Sequence, residues 1–228
     1  MRRAELTGLV LDAAGHMALD EALLLGSPAD ALVLRFYRWS GPACTFGYSQ
    51  PSLAARRACD ARGWKDVSPV RRATGGGIVF HDGDITFSVV LPWDRLCAPE
   101  AIYQKIHRGI RAALKSSGVM TSLWSTQNRP VGLSASCFAR AEPMDLVGED
   151  GRKVLGGALR KKALKGLYQG SLRPEGLGSS REALEIAVSQ GLAHELGLTP
   201  KTELRREWLE DGRRLEKRYR SPDWNERR

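Results

Sequence analysis

Long apolar segments are absent from this chain of 228 residues, since no stretch stays apolar over the roughly 20 positions that a membrane-spanning helix needs. The basic start, Met1 to Glu5, is not followed by the apolar core and small-residue cleavage site of a signal peptide. Both absences argue against a transmembrane or exported protein. We therefore predict a cytoplasmic protein that does not associate with membranes.

Cysteine is scarce and scattered. The four cysteines, Cys44, Cys59, Cys97 and Cys137, form no CxxC pair and have no histidines near them at metal-binding spacing. This pattern excludes a disulfide framework and a structural zinc site as organising features, and we predict no metal site. Reduced thiols are expected, one of which can serve as a nucleophile.

Acidic residues are outnumbered, and the net charge of +9 suits a nucleic acid, an anionic membrane surface or an acidic protein as partner. The sequence shows no helix-turn-helix, zinc-finger or RNP-type aromatic pattern. A nucleic-acid-binding module would need a contiguous basic stripe, whereas the tightest basic cluster is short, from Arg160 to Lys165. We therefore predict an acidic protein partner and no nucleic acid.

The pattern of apolar residues predicts one domain over residues 1–228. Helices are predicted over 12–25, 52–63, 99–118, 180–197 and 202–219, and strands over 31–39, 43–47, 67–72, 78–80, 85–91, 119–124, 145–147, 152–159 and 166–172. Residues 125–144 lack periodicity and are predicted to form a functional loop. The expected fold is α/β of the α+β type, with a largely antiparallel mixed sheet flanked by helices.

The first motif, Arg71 to Asp82, contains three consecutive glycines, Gly75, Gly76 and Gly77. Consecutive glycines carry a large backbone-entropy cost on folding, and a hairpin turn needs only one or two residues that accept positive φ. The third glycine therefore indicates close approach of a ligand. The flanking Arg72 and His81 suggest a carboxylate, a phosphate or an acyl carbonyl. A glycine-rich hairpin with a charged surface is the alternative.

The second motif, Gly151 to Ala158, places Lys153 on a hairpin strand shortly before two further glycines, Gly156 and Gly157. Glycines inside strands often mark β-bulges. Taken alone, this motif favours an exposed strand lysine beside a bulge, and a functional interpretation depends on its pairing with the first motif.

Together the two motifs resemble those of the lipoate–protein ligase and octanoyltransferase family, which has the biotin/lipoyl protein ligase fold. The resemblance covers most of the chain. Further stretches similar to family signatures follow in order: Gly15 to Ala22, Leu34 to Trp39, Gly47 to Gln50 and Tyr219 to Asn225. One such match would be weak, but this many at plausible distances identify the chain as a member.

The resemblance implies a tunnel for a medium-length acyl chain and a contact between Lys153 and the acyl carbonyl or acyl-phosphate oxygen. Acyl transfer to an amine develops negative charge on that oxygen, which a fixed ammonium or backbone N–H stabilises. Arg72 is expected to bind an anion. His81 is expected to line the site or orient the loop, with a satisfied structural histidine as the alternative. The other expected substrate-binding residues are Gly75, Gly76, Gly77, Thr86, Ser88, Gly156, Gly157 and Ala158.

Cys137 separates the two chemistries of the family. Its Cys-Phe step, in the aperiodic loop, resembles the place where the longer, ligase-like octanoyltransferases carry their nucleophile, and ligases need no cysteine there. A thiolate suits thioester exchange, whereas a small buried cysteine without a chemical role is the alternative. The run from His81 to Ser88 resembles the transferase form, but the three glycines of the loop resemble the ligase form.

The leading interpretation is an acyltransferase that moves octanoyl from acyl carrier protein, through a thioester on Cys137, to a lysine of a lipoyl-carrier domain. The resemblance implies acidic partners, with an acceptor of the glycine cleavage H protein or 2-oxoacid dehydrogenase E2 type, and no cofactor. The alternative is an ATP-dependent lipoate–protein ligase that uses ATP and Mg²⁺ and forms a lipoyl-adenylate. We expect no accessory C-terminal domain. A biotin ligase is less favoured because an Arg-rich glycine loop is not evident, and a scaffold without chemistry because both motifs are present.

Overall fold

The computed structural model describes residues 9–94, 96–125, 141–197, 199 and 205–227. Within these ranges the helices are α1 (Ala13–Gly26), α2 (Ser52–Ala61), α3 (Pro99–Ser116), α4 (Arg181–Leu196), α5 (Arg206–Arg220) and α6 (Pro222–Asn225). The strands are β1 (Val10–Leu11), β2 (Val33–Phe36), β3 (Arg38–Trp39), β4 (Ala43–Phe46), β5 (Val70–Arg71), β6 (Ile78–His81), β7 (Ile85–Pro92), β8 (Ser122–Leu123), β9 (Leu146–Val147), β10 (Lys153–Lys162) and β11 (Lys165–Leu172). None of the described helices is both long and apolar enough to cross a bilayer.

The main sheet has six strands in the order β2-β7-β11-β10-β9-β8, and every neighbouring pair is antiparallel. A second sheet, β5-β4-β6, pairs β4 with β5 in parallel and β4 with β6 antiparallel. The short strands β1 and β3 form a parallel pair. This arrangement confirms the predicted α+β fold with a largely antiparallel mixed sheet.

The predicted strand over 31–39 is interrupted at Tyr37, so that β2 lies in the main sheet and β3 pairs with β1. The backbone N–H of Tyr37 donates to the carbonyl of Thr86 on β7 at 2.9 Å, and its hydroxyl donates to the buried carboxylate of Asp20. A stretch rich in apolar and aromatic residues therefore changes sheet at the residue whose side chain reaches a buried acid.

The main sheet is covered on both faces. On one face α3 and α4 pack against alternate residues of β7, namely Ile85, Phe87, Val89 and Leu91. On the other face α1 and Trp208 of α5 cover Val90 and Leu167. Since successive side chains of a strand point to opposite faces, the residues between the apolar ones on β7 and β11 point toward α1, and several of these are polar.

The two helices on the first face, α3 and α4, approach each other closely at Gly109 and Gly191. A Cβ built on either glycine would overlap the backbone of the other helix. Backbone cannot move aside as a flexible side chain can, so both positions require glycine for packing.

Replacement of Gly109 or Gly191 by alanine should lower the free energy of unfolding by roughly 1–3 kcal/mol, because overpacking outweighs the gain in helix propensity. The matched control is Gly212→Ala in α5, where the added Cβ would meet Leu19 at ordinary contact distances of 3.4–3.6 Å. Urea denaturation of the three variants measures the difference. Equal stability of Gly109→Ala and Gly212→Ala would contradict the close approach.

Candidate active site

The three glycines form a loop between β5 and β6, which we call the glycine loop (75–77). Gly76 has a φ of +84°. A Cβ on Gly47 would overlap the carbonyl of Gly76, so Gly47 lets the loop pack directly on the end of β4. No described atom lies within 4 Å of the position where a Cβ of Gly75 would be, so one side of the loop is open.

Arg72 holds the glycine loop from within. Its guanidinium donates to the carbonyls of Gly75 and Gly77 at 2.9 Å each and to the hydroxyl of Thr45 at 2.9 Å, and the residue is buried. These contacts explain why an arginine precedes the glycines. The predicted role of Arg72 in anion binding stays a prediction.

The two sequence motifs lie side by side. Arg160 of β10 donates to the carbonyl of Ala73 at 3.1 Å, and a Cβ on Gly76 would lie 3.6 Å from the Cβ of Ala158. The hydroxyl of Thr74 donates to Oε1 of Gln169 on β11 at 2.6 Å. The residues that the sequence singled out separately therefore share one region of the structure.

Beneath the glycine loop lies a buried polar network centred on Asp20 of α1. Asp20 accepts hydrogen bonds from Gln169 at 2.5 Å, from Ser88 at 2.7 Å and from Arg35 at 2.5 Å. His16 contacts the same arginine, and burial, followed by the charge of Arg35, lowers the pKa of His16 to about 2. Ser88, a predicted substrate-binding residue, lies in this network.

His81 and Thr86 belong to a second buried group, together with Asp84. The two imidazole nitrogens of His81 lie 2.9 Å from Asp84 and 2.9 Å from Thr45, and the ring stacks on Trp39 at 4.3 Å. Burial acts to raise the pKa of Asp84. The charge and hydrogen bond of His81, together with hydrogen bonds from the hydroxyls of Ser171 and Thr86, outweigh burial and hold that pKa below its ordinary value. These contacts favour the structural interpretation of His81, and its substrate contact stays a prediction.

Lys153 begins β10 and is not an exposed lysine, which corrects the interpretation that its motif alone favours. Its side chain is 13% exposed, and its Nζ lies 2.7 Å from Oδ2 of Asp145. A register shift between Lys153 and Leu155 provides the bulge that the motif predicts. A Cβ on Gly156 would overlap the end of the Lys153 side chain, so this glycine makes room for the lysine to fold back over its own strand.

Asp145 is itself fixed by Tyr103 of α3, whose hydroxyl donates to Oδ1 at 2.5 Å and accepts the N–H of Gly157 at 3.0 Å. Behind it, His107 stacks on Tyr103 at 4.1 Å, and its Nε2 lies 2.7 Å from the hydroxyl of Tyr168. Sequence reasoning missed Tyr103, His107 and Asp145. A signal existed, because Tyr103 and His107 are spaced four residues apart beside the apolar stripe of α3.

Cys137 lies outside the described residues, so its predicted role stays a prediction. The described chain stops at Ser125 and resumes at Ala141. The N–H of Trp124 donates to the carbonyl of Asp145 at 2.8 Å, and the N–H of Met144 donates to the carbonyl of Trp124 at 3.1 Å. The described residues on either side of 126–140 therefore lie beside the partner of Lys153.

Arg71 ties the C-terminal residues to the glycine loop. Its guanidinium donates to the carbonyls of Tyr48 and Gln50 and to those of Trp224, Asn225 and Arg227, at 2.6–3.0 Å. This places the guanidinium of Arg227 3.9 Å above the ring of Tyr48, and Arg160 lies 5.8 Å from the same ring. We call Tyr48, Arg160 and Arg227 the basic rim.

Two surface cavities among the described residues have volumes of about 390 and about 260 Å³. The larger is lined by the start of α1, residues 66–70 and Arg220, and the smaller by Leu91, Cys97 and Leu196 among others. Neither is lined by Lys153 or by the glycine loop. The acyl tunnel that the resemblance implies stays a prediction.

The fold is that of the lipoate–protein ligases. A bipartite lipoate protein ligase from Thermoplasma acidophilum, solved in an analysis of that archaeal lipoylation system and its E2 lipoyl domain, matches with a TM-score of 0.74. The match has 19% sequence identity and covers 95% of this chain and 94% of that chain. At this identity the likeness concerns the fold alone.

The sequence comparison is more specific. Residues 12–176 match the family described as lipoyl protein ligase A/B catalytic domain, and the chain belongs to that family. Octanoyltransferase LipM of Symbiobacterium thermophilum is 31% identical over 262 residues, covering 93% of this chain and 94% of the relative. Octanoyltransferase LipM of Moorella thermoacetica is 32% identical over 170 residues, covering 72% of this chain and 62% of the relative. The predicted family is confirmed.

The burial of His107 predicts a pH dependence of stability. Burial, followed by the nearby charge of Lys153, lowers the pKa of His107 from 6.5 to about 3. In the unfolded chain the imidazole takes up a proton near pH 6.5, whereas in the folded protein it does so only near pH 3. Between pH 6.5 and pH 3 a fall in pH therefore favours unfolding. The stability advantage of the wild type over His107→Gln should therefore be largest above pH 6.5 and shrink by up to about 1.4 kcal/mol per pH unit below it.

Urea denaturation of both proteins at several values between pH 7.5 and 5 measures this difference. A difference that stays constant over the range would contradict a neutral, buried His107.

Proposed function

We propose that the protein is an octanoyltransferase that takes octanoyl from acyl carrier protein and passes it to a lysine of a lipoyl-carrier domain. The observation that carries the proposal is the placement of Lys153, held by Asp145 beside the described residues that flank 126–140. The similarity to octanoyltransferase LipM over 93% of the chain supports the same activity.

The proposed reaction has two acyl transfers. The thiolate of Cys137 attacks the carbonyl of the octanoyl thioester, and the carrier's thiolate leaves and takes up a proton. The amine of the acceptor lysine then attacks the Cys137 thioester, forming an amide, losing a proton and releasing the enzyme thiolate. In both steps negative charge develops on the carbonyl oxygen, which the ammonium of Lys153 stabilises.

The glycine loop supports a binding role in this reaction. It is open beside Gly75, and it packs against Ala158 on the strand that begins with Lys153. An acyl chain that lies on this loop would contact backbone rather than side chains, which explains a run of three glycines better than a turn does. Arg72 then contributes by holding the loop rigid.

The acceptor is a lipoyl-carrier domain of the H-protein or E2 type, and the donor is acyl carrier protein. The basic rim beside the glycine loop suits acidic partners. In the described part of the chain, neither Arg160 nor Arg227 forms an ion pair with a carboxylate, and Tyr48 between them is 41% exposed. Uncompensated surface charge increases the rate of encounter with a partner of opposite charge. No cofactor is needed for either transfer.

The second candidate is an ATP-dependent lipoate–protein ligase. The three consecutive glycines of the loop favour it, since they resemble the ligase form. In that reaction Lys153 would face the phosphate and carbonyl oxygens of an acyl-adenylate, ATP and Mg²⁺ would be required, and Cys137 would have no chemical part.

The proposal predicts an acyl-enzyme on Cys137. Incubation with octanoyl-acyl carrier protein, without ATP, should add one octanoyl group, because a thioester exchange leaves the acyl group on sulfur. Intact-mass spectrometry with peptide mapping measures the adduct, and hydroxylamine should remove it. Cys137→Ser should abolish the adduct, and the control Cys97→Ser should retain it. An ATP-dependent modification of a lipoyl domain with free lipoate, and no adduct, would establish the ligase instead.

The basic rim predicts an electrostatic contribution to acceptor binding. Arg227→Glu should raise the KM for the lipoyl domain roughly tenfold at low salt with little change in kcat. The reason is that charges at the edge of a docking surface change the rate and affinity of partner binding rather than the chemical step. The matched control is Arg206→Glu on α5, whose side chain is 92% exposed. Steady-state kinetics at 50 and 500 mM NaCl provide the comparison. A KM equal to that of the control would exclude this surface as a docking site.

A further inference from the structure

We infer that Asp145 and Tyr103 are positioning residues that hold the ammonium of Lys153 in the direction in which it stabilises the acyl oxyanion. The inference rests on the proposed acyl transfer. It assigns a part in that transfer to Tyr103 on α3 and to Asp145, which lies just before β9. Neither residue touches the reacting atoms in this assignment, since both act through Lys153.

Lys153 needs such support because of its length. A lysine side chain is a flexible stem of four carbons, and the ammonium at its end can point its three N–H bonds in many directions. The end of the Lys153 side chain occupies the space above Gly156, and Oδ2 of Asp145 lies 2.7 Å from its Nζ. With one N–H anchored on Asp145, the directions of the other two are fixed.

Asp145 is in turn held on both oxygens. Oδ2 also accepts the N–H of Glu142 at 2.7 Å, and Oδ1 accepts the hydroxyl of Tyr103 at 2.5 Å. The carboxylate has no solvent exposure. It therefore cannot rotate without breaking hydrogen bonds that no water would replace.

Tyr103 sets the direction of this network. Its hydroxyl has a single proton and accepts the N–H of Gly157 at 3.0 Å, so that proton is directed to Asp145. Burial, followed by the charge of Asp145, raises the pKa of Tyr103, so the phenol keeps its proton. Because Gly157 lies on the same strand as Lys153, the phenol aligns the strand and the carboxylate together.

The group behind Tyr103 carries no charge at neutral pH. His107 stacks on the phenol at 4.1 Å, and its pKa is lowered to about 3. Tyr168, which contacts His107, and the N–H of Gly157, which contacts Tyr103, are neutral as well. Next to these neutral groups, Lys153 and Asp145 form an ion pair.

A double-mutant cycle tests the inference. Tyr103→Phe removes one hydroxyl and should lower the rate of acyl-enzyme formation roughly 10- to 100-fold, with little change in the KM for octanoyl-acyl carrier protein, because misplacement of a catalytic group has that effect. In a Lys153→Ala background the same change should have less than about a twofold effect, since the group on which it acts is gone. Equal losses in both backgrounds would overturn the inference.

The matched control is Tyr219→Phe. Tyr219 is buried where Tyr103 is half-buried, and its hydroxyl also donates to a carboxylate, that of Glu21, at 2.8 Å, but it lies in a different part of the core. It should lose stability as Tyr103→Phe does and keep the wild-type rate. If the rate falls with stability in both variants, the role of Tyr103 is only structural.

Gly156→Ala gives an independent measurement should Tyr103→Phe fold poorly. Its added methyl group would overlap the end of the Lys153 side chain, whereas it would lie 3.3 Å from Oδ1 of Asp145, so the lysine is displaced the most and the rate should fall as in Tyr103→Phe. A wild-type rate in Gly156→Ala would overturn the need for a fixed lysine. A wild-type protein that forms no acyl-enzyme at all would instead count against the proposed function.

Discussion

The arrangement of the whole domain depends on one buried carboxylate, that of Asp20. It has no solvent exposure and accepts hydrogen bonds from Arg35, Ser88 and Gln169, which lie on the three neighbouring strands β2, β7 and β11. Loss of one partner of a buried ion pair costs roughly 3–5 kcal/mol, so these contacts tolerate little change. Because Gln169 also accepts the hydroxyl of Thr74, the acid that fixes α1 on the sheet also fixes the start of the glycine loop.

Strand β11 connects the two halves of the candidate site through the alternation of its side chains. Gln169 points toward α1 and the network under the glycine loop, while its neighbour Tyr168 points toward α3 and His107. The two networks therefore lie on opposite faces of one sheet and meet at the neighbouring strand β10. There Gly157 lies over the ring of Tyr168, with no room for a Cβ, and donates its N–H to Tyr103. Rigid backbone thus joins the loop that would hold the acyl chain to the lysine that would act on it.

The motifs, most helices and strands and the fold class could be predicted from the sequence, because they depend on local spacing and on a known family pattern. It was insufficient for the contacts that assemble the site. The hydrogen bond between Gln169 and Asp20 joins residues 149 positions apart, and no periodicity encodes such a pairing. Tyr103 was missed because it follows Ile102 within a helix whose apolar stripe alone explains its amphipathic pattern. Lys153 was expected to be exposed on its motif alone, because the room that Gly156 provides depends on how the strand bends.

The contacts of Arg71 have a consequence for the order in which the domain can form during synthesis. This residue precedes the glycine loop, yet three of its five carbonyl partners belong to residues 224–227, more than 150 positions later in the chain. A buried guanidinium without acceptors is strongly unfavourable, so the conformation around Arg71 becomes stable only when those residues have left the ribosome. Nascent chains that stop short would retain the glycine loop in sequence but not its supported geometry, and assembly of the site is thereby coupled to arrival of the final helix.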